Sequence, residues 1–200
     1  MKGSISLVGF SFSRDDGRSL LITFLSAAPS IYFLRMYLYI AHIWKMVIKD
    51  NGKKYNGFNL LIGGKDSLYH FSNETNSIKE IEPGIHGVSN ALLDTNWPKL
   101  DHAKKELERV TSNSKFDRDE LFEILKNSEK APDEKLPSTG IPYEWEKAVS
   151  SIFIKTDNYG TLCSTLLLVD YEGNAEFTER RYNVENCKII DENTFKLVFS

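Results

Sequence analysis

Residues 84–100, which read GIHGVSNALLDTNWPKL, constrain the fold more than any other stretch of this 200-residue chain. The polar residues are placed too specifically for a core strand, and the apolar residues are too dense for a loop. Thr95, Asn96, Trp97 and Pro98 form a helix-entry signal, with Asn96 or Thr95 as the N-cap and Pro98 in the first turn. The run therefore predicts a strand that turns a corner into a helix.

Short turns separate the apolar segments before this corner. The predicted turns are Gly63–Asp66, Asn73–Asn76 and Pro83–Gly84. Connections this short favour an antiparallel meander. The predicted strands are Phe58–Gly63, Ser67–Ser72, Ile78–Glu82 and Ile85–Ser89.

Two helices and a second group of strands are predicted after the corner. Apolar residues recur at helical spacing in the first helix, and Asp117 is the expected N-cap of the second. Residues 127–139 are polar, contain two prolines and predict a loop or lid. The order of strands, two helices and strands favours a helix-covered two-sheet sandwich. The expected apolar helix positions are Leu100, Ala103, Leu107, Val110, Leu121, Phe122, Ile124 and Leu125, and the later strands are Ile152–Lys155, Cys163–Asp170, Glu176–Tyr182 and Thr194–Phe199.

Several sequence blocks in one order resemble the NRDE family, also called the transport-and-Golgi-organisation type 2 family. The blocks are the run at 84–100, YNGFNLLIG at 55–63, YEWE at 143–146, IFIKT at 152–156, YGT at 159–161, STLLLVD at 164–170 and FTER at 177–180. The resemblance implies an N-terminal-nucleophile hydrolase scaffold, which is an α+β fold with a four-layer αββα sandwich. We accordingly expect residues 55–200 to form this domain and residues 1–54 to be an atypical N-terminal segment.

The chain departs from the family at its N-terminus. Members usually carry a cysteine nucleophile directly after the initiator methionine, whereas this chain has Lys2 there and has no Asn-Arg-Asp-Glu run. We therefore expect the αββα domain to be incomplete at the N-terminus and marginally stable alone. Cys163 precedes an apparent buried strand and Cys187 lies in a charged stretch, so neither replaces the missing nucleophile.

Two functional hypotheses follow from the resemblance. The first is a catalytically inactive remnant of a cysteine amidohydrolase. The ligand of such a remnant would be a small-molecule amide. The second is a non-catalytic binding or trafficking protein for a hydrophobic ligand, a lipid or haem, linked to secretory-pathway organisation. The resemblance leaves the substrate and the oligomeric state open.

Asn90 is the main candidate site residue. By resemblance it would donate its side-chain amide to an oxyanion, and the alternative is that it caps the turn into Asp94. Asn59, Asp94 and Trp97 are further candidates for ligand binding, although Asp94 and Trp97 could instead fix the strand-to-helix corner. The same positions thus allow a functional and a purely structural interpretation.

Composition narrows the classes of partner. A net charge of -3 argues against sequence-independent nucleic-acid binding, since there is no basic excess to neutralise phosphates. The four histidines and two cysteines lack metal-ligand spacing, so we expect no metal and no cofactor. His70 and His86 are interpreted as ordinary half-exposed histidines. Two cysteines in a chain of this size favour a reducing, cytoplasmic compartment.

The segment from Leu20 to Ile48 is apolar and aromatic, but Pro29, Arg35 and Lys45 interrupt it. A membrane span needs about 20 predominantly apolar residues, and Arg35 would lie near its middle. Three interpretations stay open: a membrane or interfacial helix, a buried or poorly ordered helix, and a segment that is not authentic family sequence. We expect no membrane association.

Overall fold

Strands and helices alternate in blocks along the part of the chain that the computed structural model describes. The strands in chain order are β1 (Phe10–Phe12), β2 (Arg18–Thr23), β3 (Asn59–Gly63), β4 (Leu68–Ser72), β5 (Ser77–Glu80), β6 (Gly84–His86), β7 (Cys163–Asp170), β8 (Asn174–Tyr182) and β9 (Ile189–Val198). The α-helices are α1 (Pro98–Thr111), α2 (Arg118–Leu125) and α3 (Tyr143–Ala148). The described residues are 10–12, 18–23, 51–63, 67–89, 91–113, 115–157, 159–170, 172–183 and 185–198.

These strands form two antiparallel sheets. The larger sheet has the order β6-β1-β2-β7-β8-β9, and the smaller has the order β3-β4-β5. The predicted four-strand meander is therefore wrong in its last member. β6 leaves the meander and pairs with β1 in the other sheet, where Ser11 lies opposite Ile85.

Helices α1 and α2 follow the predicted pattern. In α1 the apolar residues at helical spacing are buried, and Asp117 caps α2 with a capping box completed by Glu120. The predicted N-cap of α1 is wrong, because Trp97 takes this position and no side chain caps the helix. Pro98 in the first turn, whose missing N–H needs no acceptor, starts α1 without a side-chain cap.

The main core lies between these helices and the larger sheet. It contains Ala103, Leu107, Val110, Leu121, Phe122, Ile124, Leu125, Ile152 and Leu166, with Ile85, Phe116 and Leu168 packed around it. Each of the large side chains in such a core contributes about 1.5–3 kcal/mol by burial. The core thereby fixes the position of β6 and of the segment that follows it.

The strand predicted at Ile152–Lys155 is wrong. Residues 151–154 are buried but irregular, and only Lys155 makes an isolated bridge, to Gly160. The Phe153 amide donates to the Asn127 carbonyl at 2.7 Å, and the Ile154 amide donates to Thr161 Oγ1 at 2.9 Å. The backbone is thus satisfied by loop partners, which allows an apolar segment to be buried outside a sheet.

The smaller sheet presents one face to the corner. Asn59 pairs with Ser72 and Leu61 with His70, so these residues share a face. Leu61 and Leu68 pack with Ile81, Val88 and Leu93 in a second apolar cluster. This cluster joins the smaller sheet to the chain between β6 and α1.

The predicted α+β class is confirmed, and β7, β8 and the edge strand β9 lie close to their predicted positions. β9 begins at Ile189, five residues earlier than the sequence pattern indicated. No helix among the described residues is both long enough and apolar enough to cross a bilayer. Of the segment 20–48, residues 24–48 lie outside the described residues, and residues 20–23 belong to β2.

Candidate functional site

The candidate site is the eight-residue stretch 87–94 between β6 and α1, which we call the corner segment. Its two ends are joined by backbone and side chain. The Asp94 amide donates to the Gly87 carbonyl at 2.7 Å, and the Gly87 amide donates to Asp94 Oδ1 at 3.0 Å. The corner segment is therefore a closed loop whose base is fixed to the larger sheet.

Asp94 is the centre of this closure. Its carboxylate also accepts hydrogen bonds from His86 Nδ1 and from Lys104 Nζ of α1, both at 2.8 Å. Burial would raise the pKa of Asp94, but the hydrogen bonds from His86, Lys104 and the Gly87 amide outweigh burial and hold that pKa below its ordinary value. The backbone φ of Asp94 is 57°, a left-handed conformation that aspartate tolerates better than most residues. Asp94 thus shapes the corner by both its backbone and its charge.

His86 connects the corner segment to the end of the smaller sheet. Its Nε2 lies 2.8 Å from the Glu82 carbonyl oxygen, while Nδ1 faces Asp94. The ring of His86 therefore links the Glu82 carbonyl to the Asp94 carboxylate.

Asn59 holds the tip of the corner segment. Its side-chain amide donates to the Ala91 carbonyl at 2.8 Å and to the Ser89 carbonyl at 3.3 Å. The carbonyls on either side of Asn90 are therefore fixed by one side chain of β3. Asn59 Oδ1 accepts from His70 Nε2 at 2.8 Å, so every polar atom of this amide has a partner.

His70 is a buried, neutral imidazole with only 6% of its surface exposed. Because Asn59 Oδ1 is an acceptor, Nε2 is the protonated nitrogen and Nδ1 carries the lone pair. Burial lowers the pKa of His70, which outweighs the opposing effect of the Asp94 carboxylate, and Lys79 lowers it further. Asn59 and the uncharged His70 ring thus form a neutral hydrogen-bonded pair behind the carbonyls of Ser89 and Ala91.

The structure brings two of the four predicted site residues together. Asn59 and Asp94 hold the tip and the base of the corner segment, and the Asp94 charge reaches His70 beside Asn59. Asn90 lies outside the described residues, so its assignment as an oxyanion donor stays a prediction. The ligand-binding roles of Asn59, Asp94 and Trp97 also stay predictions.

Trp97 lies at the start of α1, beside a second unusual side chain. Lys99 Nζ is 5.5 Å from the centre of the Trp97 ring and donates to the Val149 carbonyl at 3.1 Å. Only 7% of Lys99 is exposed, and burial lowers its pKa to about 8. Within the described residues no carboxylate pairs with Lys99. Its amine lies near the N-terminus of α1, the positive end of the helix dipole, so neither a counter-charge nor the dipole offsets the cost of its burial.

Neither of the two thiols belongs to the corner segment. Cys163 is buried in β7, which β1 and β2 separate from β6. Since neighbouring strands lie about 4.8 Å apart, β7 is about 14 Å from β6 across the sheet. Cys187 lies in the turn between β8 and β9, where its φ is 57°.

Sequence reasoning missed His70, His86 and Lys104 as members of the network. The signal for His70 was present, because a hairpin closed at Gly63–Asp66 places His70 diagonally across from Asn59 on the same face. His86 and Lys104 gave no such signal, since they meet Asp94 only through the tertiary corner. In the part of the chain that the structure describes, no three histidine, cysteine, aspartate or glutamate side chains gather closely enough to hold a metal.

Fold and site together define a mixed α+β protein with two antiparallel sheets, helices on the larger sheet and a braced strand-to-helix corner. A sequence profile described as Transport and Golgi organisation 2 matches residues 16–184. The chain belongs to this family, which confirms the family resemblance that the sequence blocks indicated. The matched residues include the corner segment and both sides of the network.

Three mammalian proteins are similar to this chain. The Transport and Golgi organization protein 2 homolog of Bos taurus is 33% identical over 147 residues, which cover 66% of this chain and 53% of that protein. The Homo sapiens homolog is 33% identical over 148 residues with the same coverage, and the Mus musculus homolog is 28% identical over 163 residues, covering 74% of this chain and 59% of that protein. The chain thus spans little more than half the length of the curated relatives it matches.

Proposed function

We propose that this chain binds a small carbonyl-containing ligand, such as an acylated amine, at the corner segment and does not hydrolyse it. The observation that carries the proposal is the double hydrogen bond from Asn59 to the carbonyls on either side of Asn90. On this proposal the donor to the ligand is the side-chain amide of Asn90, and fixed carbonyls on both sides of it reduce the reorganisation needed when a carbonyl oxygen arrives. On this proposal the chain keeps the ligand-orienting part of a cysteine amidohydrolase with the αββα arrangement.

The proposal that the ligand is not hydrolysed is supported by the position of the two thiols. An acyl-enzyme needs a nucleophile within reach of the bound carbonyl, at about 3–3.5 Å. Cys163 is buried in β7, across the sheet from β6, and Cys187 lies in the β8–β9 turn. We therefore propose binding without turnover, and we place this activity in the cytoplasm.

A second candidate function is carriage of a hydrophobic ligand, a lipid or haem. The observation in its favour is a cleft of about 620 Å³ next to α2, at the β7–β8 turn and the end of β9. Its walls include Phe116, Leu168, Ala175, Leu197 and Val198, and its size is within the range for small-molecule sites. The relatives are named for transport and Golgi organization. We propose a role in that pathway for this chain only together with this second candidate function.

The test compares binding and turnover in one set of proteins. The 200-residue chain is titrated with fluorogenic N-acylated amines, and binding is followed by fluorescence anisotropy while release of the amine reports hydrolysis. Asn90→Ala should weaken binding about 2- to 13-fold, the effect of losing one hydrogen bond of about 0.5–1.5 kcal/mol. The matched control is Asn96→Ala, which changes an exposed asparagine two residues after the corner segment and should bind normally.

The outcomes separate the two candidates. Binding that is weakened by Asn90→Ala, without release of amine, supports the main proposal. Turnover that stops when the thiols are alkylated would overturn it. Two results together would favour the cleft instead. A lipid or tetrapyrrole would be recovered with the wild-type chain but not with Leu168→Asp, and Asn90→Ala would bind acylated amines normally.

A further inference from the structure

Asn73, Glu74 and Thr75 form the triplet Asn-x-Thr, which is the acceptor signal for asparagine-linked glycosylation. It is the only triplet of this type in the 200 residues. Such signals are normally used on surface loops, because the sugar chain is bulky and lies in the solvent. The triplet follows β4 in the turn to β5, where Glu74 and Thr75 are exposed but only 7% of Asn73 is exposed. The signal is therefore complete in the sequence, while the fold buries its acceptor.

The side-chain amide of Asn73 uses both of its hydrogens in the folded chain. Nδ2 donates to the Gly52 carbonyl and to the Asn56 carbonyl, both at 3.0 Å, and an amide nitrogen of this kind has only two hydrogens. Glycosylation replaces one of them by C1 of the sugar. One of the two carbonyls would then lose its donor, and leaving such a group unpaired in the interior destabilises the fold.

The space around Asn73 is also too small for a sugar. The segment that covers it comes so close at Gly52 that an added Cβ there would lie 3.1 Å from Asn73 Cβ. Phe58 holds the oxygen of the same side chain, because its backbone N–H donates to Asn73 Oδ1 at 2.6 Å, and its carbonyl accepts from the Asn73 backbone N–H at 3.3 Å. A sugar on Nδ2 would therefore displace residues 52–58 from the smaller sheet.

The smaller sheet that buries Asn73 depends on residues that follow it in the chain. β4 pairs with β5 on the far side of the turn, and Leu68 of β4 packs against Ile81 and Val88. The glycosylating enzyme of the endoplasmic reticulum acts on chains as they enter the lumen, when residues soon after the acceptor have not yet emerged. A chain sent into that compartment therefore meets the enzyme while Asn73 is still accessible.

We propose that Asn73 is a glycosylation acceptor only in the unfolded chain, and that a chain modified there cannot fold. In the modification, Asn73 Nδ2 attacks C1 of an oligosaccharide carried on a polyprenyl diphosphate. The N–C1 bond forms, the C1–O bond to the diphosphate breaks, and Nδ2 loses one proton. The chain therefore reaches its native fold only in a compartment without this enzyme, such as the cytosol. This inference is independent of the ligand proposed for the corner segment.

Cell-free translation with vesicles of endoplasmic reticulum tests the proposal on the whole 200-residue chain. A cleavable signal peptide directs the chain into the vesicles, and the same chain translated without the signal peptide stays outside. A mobility shift that peptide N-glycosidase F removes reports the glycan, and resistance to limited proteolysis after the vesicles are opened reports folding. The wild-type chain inside the vesicles should carry one glycan and lose the resistance of the chain outside.

Two variants of Thr75 separate the glycan from other effects of the lumen, such as oxidation of the thiols. Thr75→Ala removes the signal and spares Asn73, and it changes an exposed contact between Thr75 Oγ1 and Ser77 Oγ, so it should stay unmodified and resistant inside the vesicles. Thr75→Ser keeps the signal and should behave as the wild-type chain does.

Three results would overturn the proposal. The first is a glycosylated wild-type chain as resistant as Thr75→Ala. The second is a wild-type chain that folds unmodified inside the vesicles. The third is Thr75→Ala that is unmodified there and still sensitive to proteolysis, because something other than the glycan would then prevent folding.

Discussion

His86 Nδ1 lies 2.8 Å from Asp94 Oδ2, and this contact joins the last residue of β6 to the end of the corner segment. Lys104 Nζ approaches the other carboxylate oxygen at the same distance, and the Gly87 amide completes the set of donors. Three donors on one half-buried carboxylate make Asp94 the residue on which the geometry of the corner depends. Removing it should therefore affect both stability and ligand binding.

Asp94→Asn should lower the free energy of unfolding at pH 7 by about 1.5–3 kcal/mol, because hydrogen bonds to a charged group are replaced by weaker ones. Asp94→Ala should cost more, since alanine also tolerates the left-handed backbone less well. Urea unfolding followed by circular dichroism measures both values. Equal stability of the wild-type protein and Asp94→Asn would contradict the role assigned to the carboxylate.

The same carboxylate predicts how stability depends on pH. The pKa of Asp94 is held below its ordinary value of 3.8, so its contribution is complete above about pH 4 and is lost as the pH falls through the lower, folded value. Asp94→Asn should lack this component. As the pH is lowered from 5 to 2, the free energy of unfolding should therefore fall less steeply in Asp94→Asn than in the wild-type protein.

His70 should titrate below 6.5, because burial lowers its pKa and Asn59 bonds to the neutral ring. Its contribution to stability is present above pH 6.5 and is lost as the pH falls towards the folded pKa. Asn59→Asp places a carboxylate beside Nε2 and should raise the pKa of His70. NMR titration of the imidazole resonances measures both, with Asn96→Asp as the control, and a His70 midpoint above 6.5 in the wild-type protein would contradict the neutral assignment.

The local parts of this site could be predicted from the sequence. The turn at Gly63–Asp66 sets the register that brings Asn59 near His70, and the helix-entry signal locates the corner correctly, although the capping residue is different. These features depend on contacts between residues close in the chain. For the same reason the capping box at Asp117 was predictable.

The long-range parts could not be predicted in this way. β6 has only three residues, and its partner β1 lies more than seventy residues earlier, so no periodicity indicates their pairing. The apolar segment 151–154 has the composition of a strand, but its backbone hydrogen bonds go to Asn127 and Thr161. A short apolar run does not reveal whether its polar backbone will meet a strand or a loop.

Asn73 should be essential for the conformation of the 55–58 block. Its amide donates to the carbonyls of Gly52 and Asn56 at 3.0 Å, and its Oδ1 accepts from the Phe58 amide at 2.6 Å. Asn73→Ala should lower the free energy of unfolding by about 2–4 kcal/mol, because buried backbone groups lose their partners. Asn73→Asp keeps the size but faces the carbonyls with an acceptor, so it should be at least as damaging, and full stability of Asn73→Asp would contradict this assignment.

Two glycines of the same hairpin should respond differently to alanine. A Cβ at Gly63 would lie 2.2 Å from the Ser67 carbonyl oxygen and 2.7 Å from Leu68 Cα, both of which belong to the backbone. The three atoms nearest to a Cβ at Gly57 all belong to the Glu74 side chain, with Oε1 at 2.6 Å, and that exposed group can move away. Gly63→Ala should therefore reduce the melting temperature markedly while Gly57→Ala changes it little, and a larger loss for Gly57→Ala would contradict the steric account.

Lys99 provides the last test, because its burial predicts a rise in stability on the alkaline side. Its pKa is about 8 in the folded protein, against an ordinary value of 10.5. Between these values the unfolded chain binds the proton and the folded chain does not, so the free energy of unfolding should increase with pH by up to about 3 kcal/mol. Below pH 8 both states are protonated, and this dependence disappears.

Lys99→Met removes the titrating amine, so the difference in unfolding free energy between wild type and Lys99→Met should change with pH from 8 to 10.5. The exposed Lys105→Met on the same helix should show no such change, which controls for the alkaline titration of the other groups. Thermal or urea unfolding at half-unit pH intervals measures the differences. Parallel curves for Lys99→Met and Lys105→Met would mean that the Lys99 amine is solvated, and that its bond to Val149 does not hold it in the interface between α1 and α3.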